Sequence, residues 1–457
     1  MYLSKFGWIR RRHQIIKSTH LFSSKPWAGG VILLVSVAFA MIFANMEWSK
    51  HFYHELLTTD LSILIHTADN EINLFFPKNM NLEKLINDGL MVIFFFVVGL
   101  EIKREVLHGE LSTFKQAILP VMAAIGGMVV PAIIYFIINQ GTSVEIGWGI
   151  PMATDIAFVI GILTLLGRRV PLSLKIFLMA LAIADDLGAI IIIALFYGGA
   201  INLTCLTIAL VIVLGVFLIN RLGEREMIFY IIPGIVVWTL FYYSGIHATL
   251  SGVIMAMLVP SKPRYSKAYF LRKISILSSK INNDSDKSDE LSHHHLHHIH
   301  RIALGSISMS DKLEEALTPF VAFVIMPIFA LANAGVEIDI NHLNIFKYSP
   351  IEGAMGLGIF LGLVLGKPIG ITLMSWIAVK LKFADMPSGA NWKMLFAVAA
   401  LAGIGFTMSI FIDTLAFFNV NISYVDQGKI AILISSLAAS LLGIALIFLF
   451  SRGKVTD

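Results

Sequence analysis

About a dozen apolar stretches, each close to the ~20 residues a helix needs to cross a bilayer, leave this chain few ways to fold. They begin near Trp27, Gly89, Ile118, Ile146, Leu174 and Leu203, and again near Met227, Ile246, Leu317, Gly353, Met394 and Ile430. In hydrocarbon every backbone donor and acceptor must be satisfied inside the chain, so runs of this length and number call for helices. The 457 residues are 57% hydrophobic and only 14% charged, too little charge for a water-soluble domain. The expected fold class is an all-α polytopic membrane protein of about twelve transmembrane helices. The eighth stretch, Ile246 to Val259, is the short one. One cysteine, Cys205, excludes an intrachain disulfide framework and a cysteine metal site.

Charge placement orients the spans. Arg10, Arg11 and Arg12 precede the first; Lys103, Arg104 and Lys115 follow the second; Arg168, Arg169 and Lys175 follow the fourth. Arg221 and Arg225 follow the sixth, a basic loop follows the eighth, Lys380, Lys382 and Lys393 follow the tenth, and Arg452 and Lys454 end the chain. Lys and Arg collect on the cytoplasmic side of membrane proteins, so both termini are expected inside, with an uncleaved first helix. The expected order is a cytoplasmic N-terminal segment (1–26), spans one to eight (27–260) with an outer loop or hairpin at 47–85, a polar cytoplasmic loop (261–311), spans nine to twelve (312–451) and a cytoplasmic tail (452–457).

Two extramembrane pieces stand out. "LSILIHTADNEINLFF" (61–76) has two short β-prone runs about "TADN" and reads as an outer hairpin or an irregular loop. The cytoplasmic loop carries "HHHLHHIH" (293–300), whose histidines suit a divalent metal or a pH response; its polarity points to a flexible linker with no specific site. The preceding "KAYFLRKISILSSKI" suits the inner membrane surface.

Charges inside the spans are the functional signal. "LMALAIADDLGAIIIIALFYGG" (178–199) holds Asp185 and Asp186 at its middle, each at an insertion cost of roughly 2.5–3.5 kcal/mol. Ionisable residues kept at that cost mark ion or proton pathways. Adjacent residues point about 100° apart on a helix, so the two have different neighbours, while their closeness makes them titrate as a pair. Lys367, in "GIFLGLVLGKPIGITLMSW", has apolar sequence on both sides too long for its ammonium to reach an interface, which makes Asp185 or Asp186 its natural partner; a static ion pair is the alternative.

Asp155 is a third carboxylate, in "GWGIPMATDIAFVIGIL", where Gly149 and Pro151 predict a broken helix. "LAGIGFTMSIF" places Gly403 and Gly405 before Thr407 in span eleven. Interrupted helices at corresponding places in two repeats point to a transporter site; spans three to five and ten to twelve are the candidate repeats, the second inverted. Glu101, Lys103, Arg104 and Glu105 read as interface anchors or an ion-collecting rim, Asp88 as an interfacial charge, and His247 as a packing residue.

The segments "PMATDIAF", "LKIFLMALAIADDLGAIIIIALFY", "GLEIKRE", "SGIHATLSGV", "FALANAGV", "LGKPIGI" and "GIGFTMSIFI" together resemble bacterial Na⁺/H⁺ antiporters of the NhaA type. That family is itself a standing example of inverted repeats with discontinuous helices. The resemblance covers nearly the whole membrane region. It implies twelve helices with spans four and eleven unwound, and a multi-pass protein of the bacterial inner membrane. It implies no enzyme activity and no cofactor, with Na⁺ (or Li⁺) and H⁺ as cargo. Asp186 becomes the main sodium ligand beside Asp185, Asp185 pairs with Lys367, and Thr154 and Asp155 flank the site, Asp155 offsetting half-helix ends. Glu101, Arg104 and Glu105 fall in the cytoplasmic entry and pH-control region, for which Glu314, Asp88 and His247 are further candidates.

The resemblance further implies a homodimer through the outer hairpin, a lipid bilayer and no nucleic acid as partners, and pH-regulated, electrogenic exchange. Two positions depart from the family pattern. Glu314 lies in "LEEALTPF", with Glu315 and Thr318 where histidines are expected nearby, and Asp413 is an acid where a small residue is expected. The rival readings are another cation- or proton-coupled transporter, a cation channel, and an intramembrane aspartyl protease, to which adjacent carboxylates and Lys367 are ill suited.

Overall fold

The structure, a computed structural model, describes residues 27–60, 64–67, 70–73, 80–199, 201–284, 293–338, 353–417 and 420–451. Among these residues, nine helices are long and apolar enough to cross a membrane, and a bent helix pair makes a tenth crossing if counted as one. The chain partitions into two compact units: Met1–Phe94 with Glu105–Gly198 and Pro319–Asp457, and Phe95–Arg104 with Gly199–Thr318.

The first unit begins with α1 (Trp27–Asn45) and α2 (Glu47–Thr58). α2 lies in the stretch expected as loop or hairpin; "EWSKHFYHELLT" turns Ser49, Tyr53 and Leu57 inward at helical spacing and the rest outward. Tyr53 donates its phenol proton to the Leu331 carbonyl at 2.6 Å. Burial, and secondly the Glu83 carboxylate, push that phenol above its ordinary pKa, so it stays a donor through the physiological range. β1 (Leu64–Thr67) pairs antiparallel with β2 (Asn70–Asn73), Ile65 opposite Ile72.

α3 (Leu82–His108) opens with a π-helical turn at Leu85–Leu90 that carries Asp88 and Asn87. Asn87 and Asn333 exchange side-chain hydrogen bonds at 3.0 and 2.8 Å, so each buried amide satisfies the other. α4 (Phe114–Asn139) follows, and a 3₁₀ segment, Glu145–Met152, leads into α5 (Ile156–Leu165). α6 (Leu172–Phe196) completes this part of the unit.

The second unit holds α7 (Leu203–Arg221), α8 (Ile228–Ser244) and α9 (Leu250–Leu258). Leu100, Val216, Val237, Phe241, Met255 and Leu313 form its core. α7 buries little and exposes Leu210, Val211, Leu214, Phe217 and Leu218, a face suited to lipid. α9, nine residues long, rises only ~14 Å, about half a hydrocarbon core.

The loop expected as a flexible linker contains two helices instead, α10 (Lys267–Asp284) and α11 (His293–Gly305). Leu277 and Ile302 are buried, and Tyr265 N donates to the Gly305 carbonyl at 2.9 Å. The polar composition hid a helical apolar stripe. Residues 285–292 and the side chains of most of the histidines lie outside the described set.

α12 (Met309–Asn333), α13 (Met355–Lys380), α14 (Trp392–Leu401), α15 (Phe406–Phe417) and α16 (Ile422–Phe450) end the chain. In α12 and α13 a π-helical turn, Val321–Ile325 and Gly362–Gly366, ends two residues before a proline, Pro327 and Pro368. Proline lacks the N–H and its ring crowds the carbonyl one turn back; a wider turn accommodates both. α14 and α15 meet at a 52° bend across residues 402–405.

Glycines set how closely α13 approaches α4. A Cβ on Gly370 would stand 2.1 Å from the Gly126 carbonyl oxygen, and one on Gly126 would stand 2.2 Å from that of Gly370. Gly358, Gly362 and Gly366 occupy the same face at four-residue spacing, against Tyr135, Pro151 and Pro131. Small residues one turn apart let membrane helices pack backbone to backbone. Gly370→Ala is expected to lower the stability of the detergent-purified protein by about 1–3 kcal/mol through overpacking. Gly215→Ala, with nothing within 4 Å of the new methyl, should be neutral or mildly stabilising. Thermal melts of the two variants check this; equal midpoints would contradict the glycine contact.

Candidate functional site

Four elements of the first unit converge on a buried polar centre. α6 brings Asp185 and Asp186, 0% and 1% exposed. α13 brings Lys367, fully buried, at the residue after the π turn and just before Pro368. The break between the 3₁₀ segment and α5 brings Thr154 and Asp155, and the bend between α14 and α15 brings Ala402, Ile404 and Thr407.

Lys367 Nζ donates to Asp185 Oδ2 at 2.5 Å and to Thr154 Oγ1 at 2.9 Å. Thr154 has one hydroxyl proton to offer, between Asp185 Oδ2 at 2.9 Å and the Ala402 carbonyl at 3.0 Å. Both charges of the pair are withdrawn from solvent. Such a pair gains little net stability over apolar residues, but deleting one partner costs about 3–5 kcal/mol, because the other charge is left buried alone. Asp186, one residue on, points about 100° away and is not part of this ion pair.

Asp155 serves two helix ends. Its Oδ1 accepts from Phe158 N at 3.0 Å, capping α5. Its Oδ2 accepts from Thr407 N at 3.2 Å and the Thr407 hydroxyl at 2.5 Å, at the start of α15. Side-chain caps of this kind stabilise a helix end by ~1 kcal/mol each, and both lie at helix N-termini, the positive ends. The two interruptions also pair with each other: Asp155 N donates to the Ile404 carbonyl at 2.7 Å. Ser409 Oγ donates to the Ile150 carbonyl at 2.8 Å, and Phe406 N donates to Ser436 Oγ at 3.2 Å. Asp155 N, Phe406 N and the carbonyls of Ile150 and Ile404 thus find partners within the protein, of the kind that non-helical backbone in hydrocarbon needs.

The other expected site residues have these surroundings. Asp88 is half-buried in the π turn of α3. Glu105 Oε2 accepts from Glu110 N at 3.0 Å near the end of the same helix. In the second unit, Arg104 makes an ion pair with the buried Glu314 carboxylate, and Lys103 Nζ donates to the Met257 carbonyl at 2.7 Å. Glu101 is half-buried. His247 occupies the turn between α8 and α9, where its carbonyl accepts from Leu250 N at 3.1 Å.

Sequence reasoning missed the role of Thr407 as the second partner of Asp155, and the carbonyls of Ala402 and Ile404. Glycines flanking a threonine were the visible signal; which carboxylate it would meet was not. Among the described residues, no group of three or more His, Cys, Asp or Glu side chains assembles as a metal cage. A hard monovalent cation passing through would instead be met by carboxylate, hydroxyl and carbonyl oxygens of the kinds gathered here.

Comparison with known proteins agrees with this geometry. Residues 20–447 match the family described as Na⁺/H⁺ antiporter 1. The chain is 42% identical over 429 residues to the Na⁺/H⁺ antiporter NhaA of Escherichia coli O1:K1, covering 94% of this chain and 97% of that protein. The Na⁺/H⁺ antiporter NhaA of Salmonella paratyphi B is similar to the same extent, 42% identical with the same coverage. A match of this length and identity places the whole described membrane region within one family: this chain belongs to the Na⁺/H⁺ antiporter 1 family.

Proposed function

We propose that this chain exports Na⁺, and Li⁺, in exchange for inward-moving protons, by alternating access at the centre formed by Asp185, Asp186, Lys367, Thr154 and Asp155. The observation that carries the reading is the buried Lys367–Asp185 pair, 2.5 Å apart, with a second carboxylate, Asp186, at the adjacent position. Asp186 is the main sodium ligand. Among the described residues, Asp185 Oδ1 has no hydrogen-bond partner; a Na⁺ bound there repels the neighbouring Lys367 ammonium, which then gives up a proton or withdraws. Na⁺ entry and proton departure are therefore linked at one place, and only one occupant can neutralise the carboxylates at a time.

A centre that reorients when neutralised, and not when empty and charged, converts this competition into exchange. Two protonatable groups against one Na⁺ make the exchange electrogenic. The membrane potential then contributes about 2.3 kcal/mol per net charge per 100 mV. Asp155 accepts hydrogen bonds from the first turns of both α5 and α15, and so holds the two helix starts together.

The remaining architecture follows the family expectation. Counting the bent pair as one span, and adding α8 and α9, gives twelve crossings, with the interruptions before α5 and α15 as the discontinuous helices of two inverted repeats. The protein lies in the bacterial inner membrane with both termini cytoplasmic. The β1–β2 hairpin joins two protomers, and Arg104, Glu314, Glu101 and Glu105 belong to cytoplasmic entry and pH control.

In proteoliposomes, Asp186→Asn is expected to abolish Na⁺-driven dissipation of a pH gradient; near-normal exchange by that variant would end the assignment of Asp186. The buried pair makes a separate forecast. Lys367→Met and Asp185→Asn singly should each lower thermal stability by a few kcal/mol, about 3–5 at most. The double variant should regain much of that loss. Thermal melts of all three read it, and a double variant as unstable as the two losses added would contradict a compensating pair.

A further inference from the structure

Asp413 is a buried acid that the exchange centre does not use. It lies on α15 and is 0% exposed. Among the described residues, neither of its carboxylate oxygens has a hydrogen-bond partner. The chain makes room for it: a Cβ on Gly428 of α16 would stand 2.1 Å from Oδ1 and 2.7 Å from Oδ2. A glycine therefore lets the carboxyl group press into the flank of α16, beside Asp426 and Lys429.

The charged and titratable groups that bear on Asp413 can be named element by element. From α16, Lys429 attracts its charge and Asp426 repels it. Tyr135 of α4 and Tyr197 at the end of α6 also feel it. Both phenols have committed their protons elsewhere, Tyr135 to the Val144 carbonyl at 2.8 Å and Tyr197 to the Ile146 carbonyl at 2.9 Å. In the 3₁₀ segment only Glu145 is ionisable, and it accepts from Gly141 N at 2.7 Å. The Met326–Asn333 part of α12, packed against α15, has no ionisable side chain.

Asp185 is met by an ammonium and a hydroxyl at hydrogen-bond distance; Asp413 has a lysine only within electrostatic reach. A buried carboxylate without donors is too costly to persist as a bare anion, so a proton or a cation must meet it. A metal cation would need several oxygens, and the nearby Lys429 would repel it. A proton needs one oxygen.

We propose that Asp413 is a second proton-exchanging residue, with Lys429 as its counter-charge, which takes up and releases one proton at its carboxyl oxygen as the protein works. It lies six residues after Thr407 on α15, about 9 Å along the helix, so motion of the helix that Asp155 caps also moves Asp413 against Lys429. The proposal rests on the exchange reading for its transport readout, and a second readout does not.

The test uses full-length protein. In proteoliposomes, Asp413→Asn is expected to retain Na⁺/H⁺ exchange with the midpoint of its pH profile displaced by about one pH unit. In pH-difference infrared spectra of detergent-purified protein, the same variant should lose one titrating carboxyl C=O band. Lys429→Met, which keeps the carboxyl group and removes its counter-charge, should displace the titration of that band, and serves should Asp413→Asn fail to accumulate. An unchanged pH profile with every carboxyl band retained would overturn the proposal, as would a loss of thermal stability alone. Absence of exchange by the unaltered protein would instead refute the antiport reading and leave the infrared test standing.

Discussion

The hydrogen-bonded pair of Lys367 and Asp185, withdrawn from solvent and bridged by Thr154, is the interaction on which the rest of the first unit depends. Opposite charges in a low-dielectric interior tolerate little displacement, because separation leaves two uncompensated ions. α6, α13 and the interruption before α5 are consequently tied at one point, and the Thr154 contact with Ala402 extends the tie to the bend before α15. A ligand that competes for Asp185 acts on all four elements at once. That coupling gives a small ion leverage over large helices, since a ligand shifts a conformational equilibrium only by its differential affinity for the two states.

Packing supplies the frame that the pair needs. Gly366 and Gly370 bring α13 onto the backbone of α4, and Gly358 and Gly362 make room for the side chains of Asn139, Tyr135 and Pro151. Lys367 follows Gly366 directly, so its reach is set by a backbone-to-backbone contact and not by flexible packing. Asn139 joins the same arrangement from the end of α4, its Oδ1 accepting from Ala354 N at 2.8 Å just before α13 begins. The polar centre sits among these apolar contacts, with Asp155 N bonded to the Ile404 carbonyl and Ser409 to the Ile150 carbonyl at the two interruptions.

The charged residues of the centre were readable in the sequence because charge within an apolar run is rare and costly; Asp185, Asp186 and Lys367 needed no structure to be noticed. Pro151, Gly403 and Gly405 marked the interruptions for an equally local reason. What the sequence hid is non-local. Asp155 and Thr407 meet across 252 residues, and nothing in either segment names the other. The glycines of α13 repeat every fourth residue, yet a glycine face reveals its partner only once α4 is alongside. α10 and α11 were obscured for a different reason: their polar composition resembles a linker, and the apolar stripe holding Leu277 and Ile302 is sparse.

The proposed exchange requires that a sodium ion and protons not occupy the acidic oxygens together. Calorimetric titration of the purified, unaltered protein with Na⁺, in buffers of different ionisation enthalpy, measures how many protons leave as each ion binds. Net proton release is expected, with apparent affinity falling about tenfold per pH unit on acidification for each proton displaced. Sodium binding whose affinity is the same across that pH range, with no proton released, would contradict it.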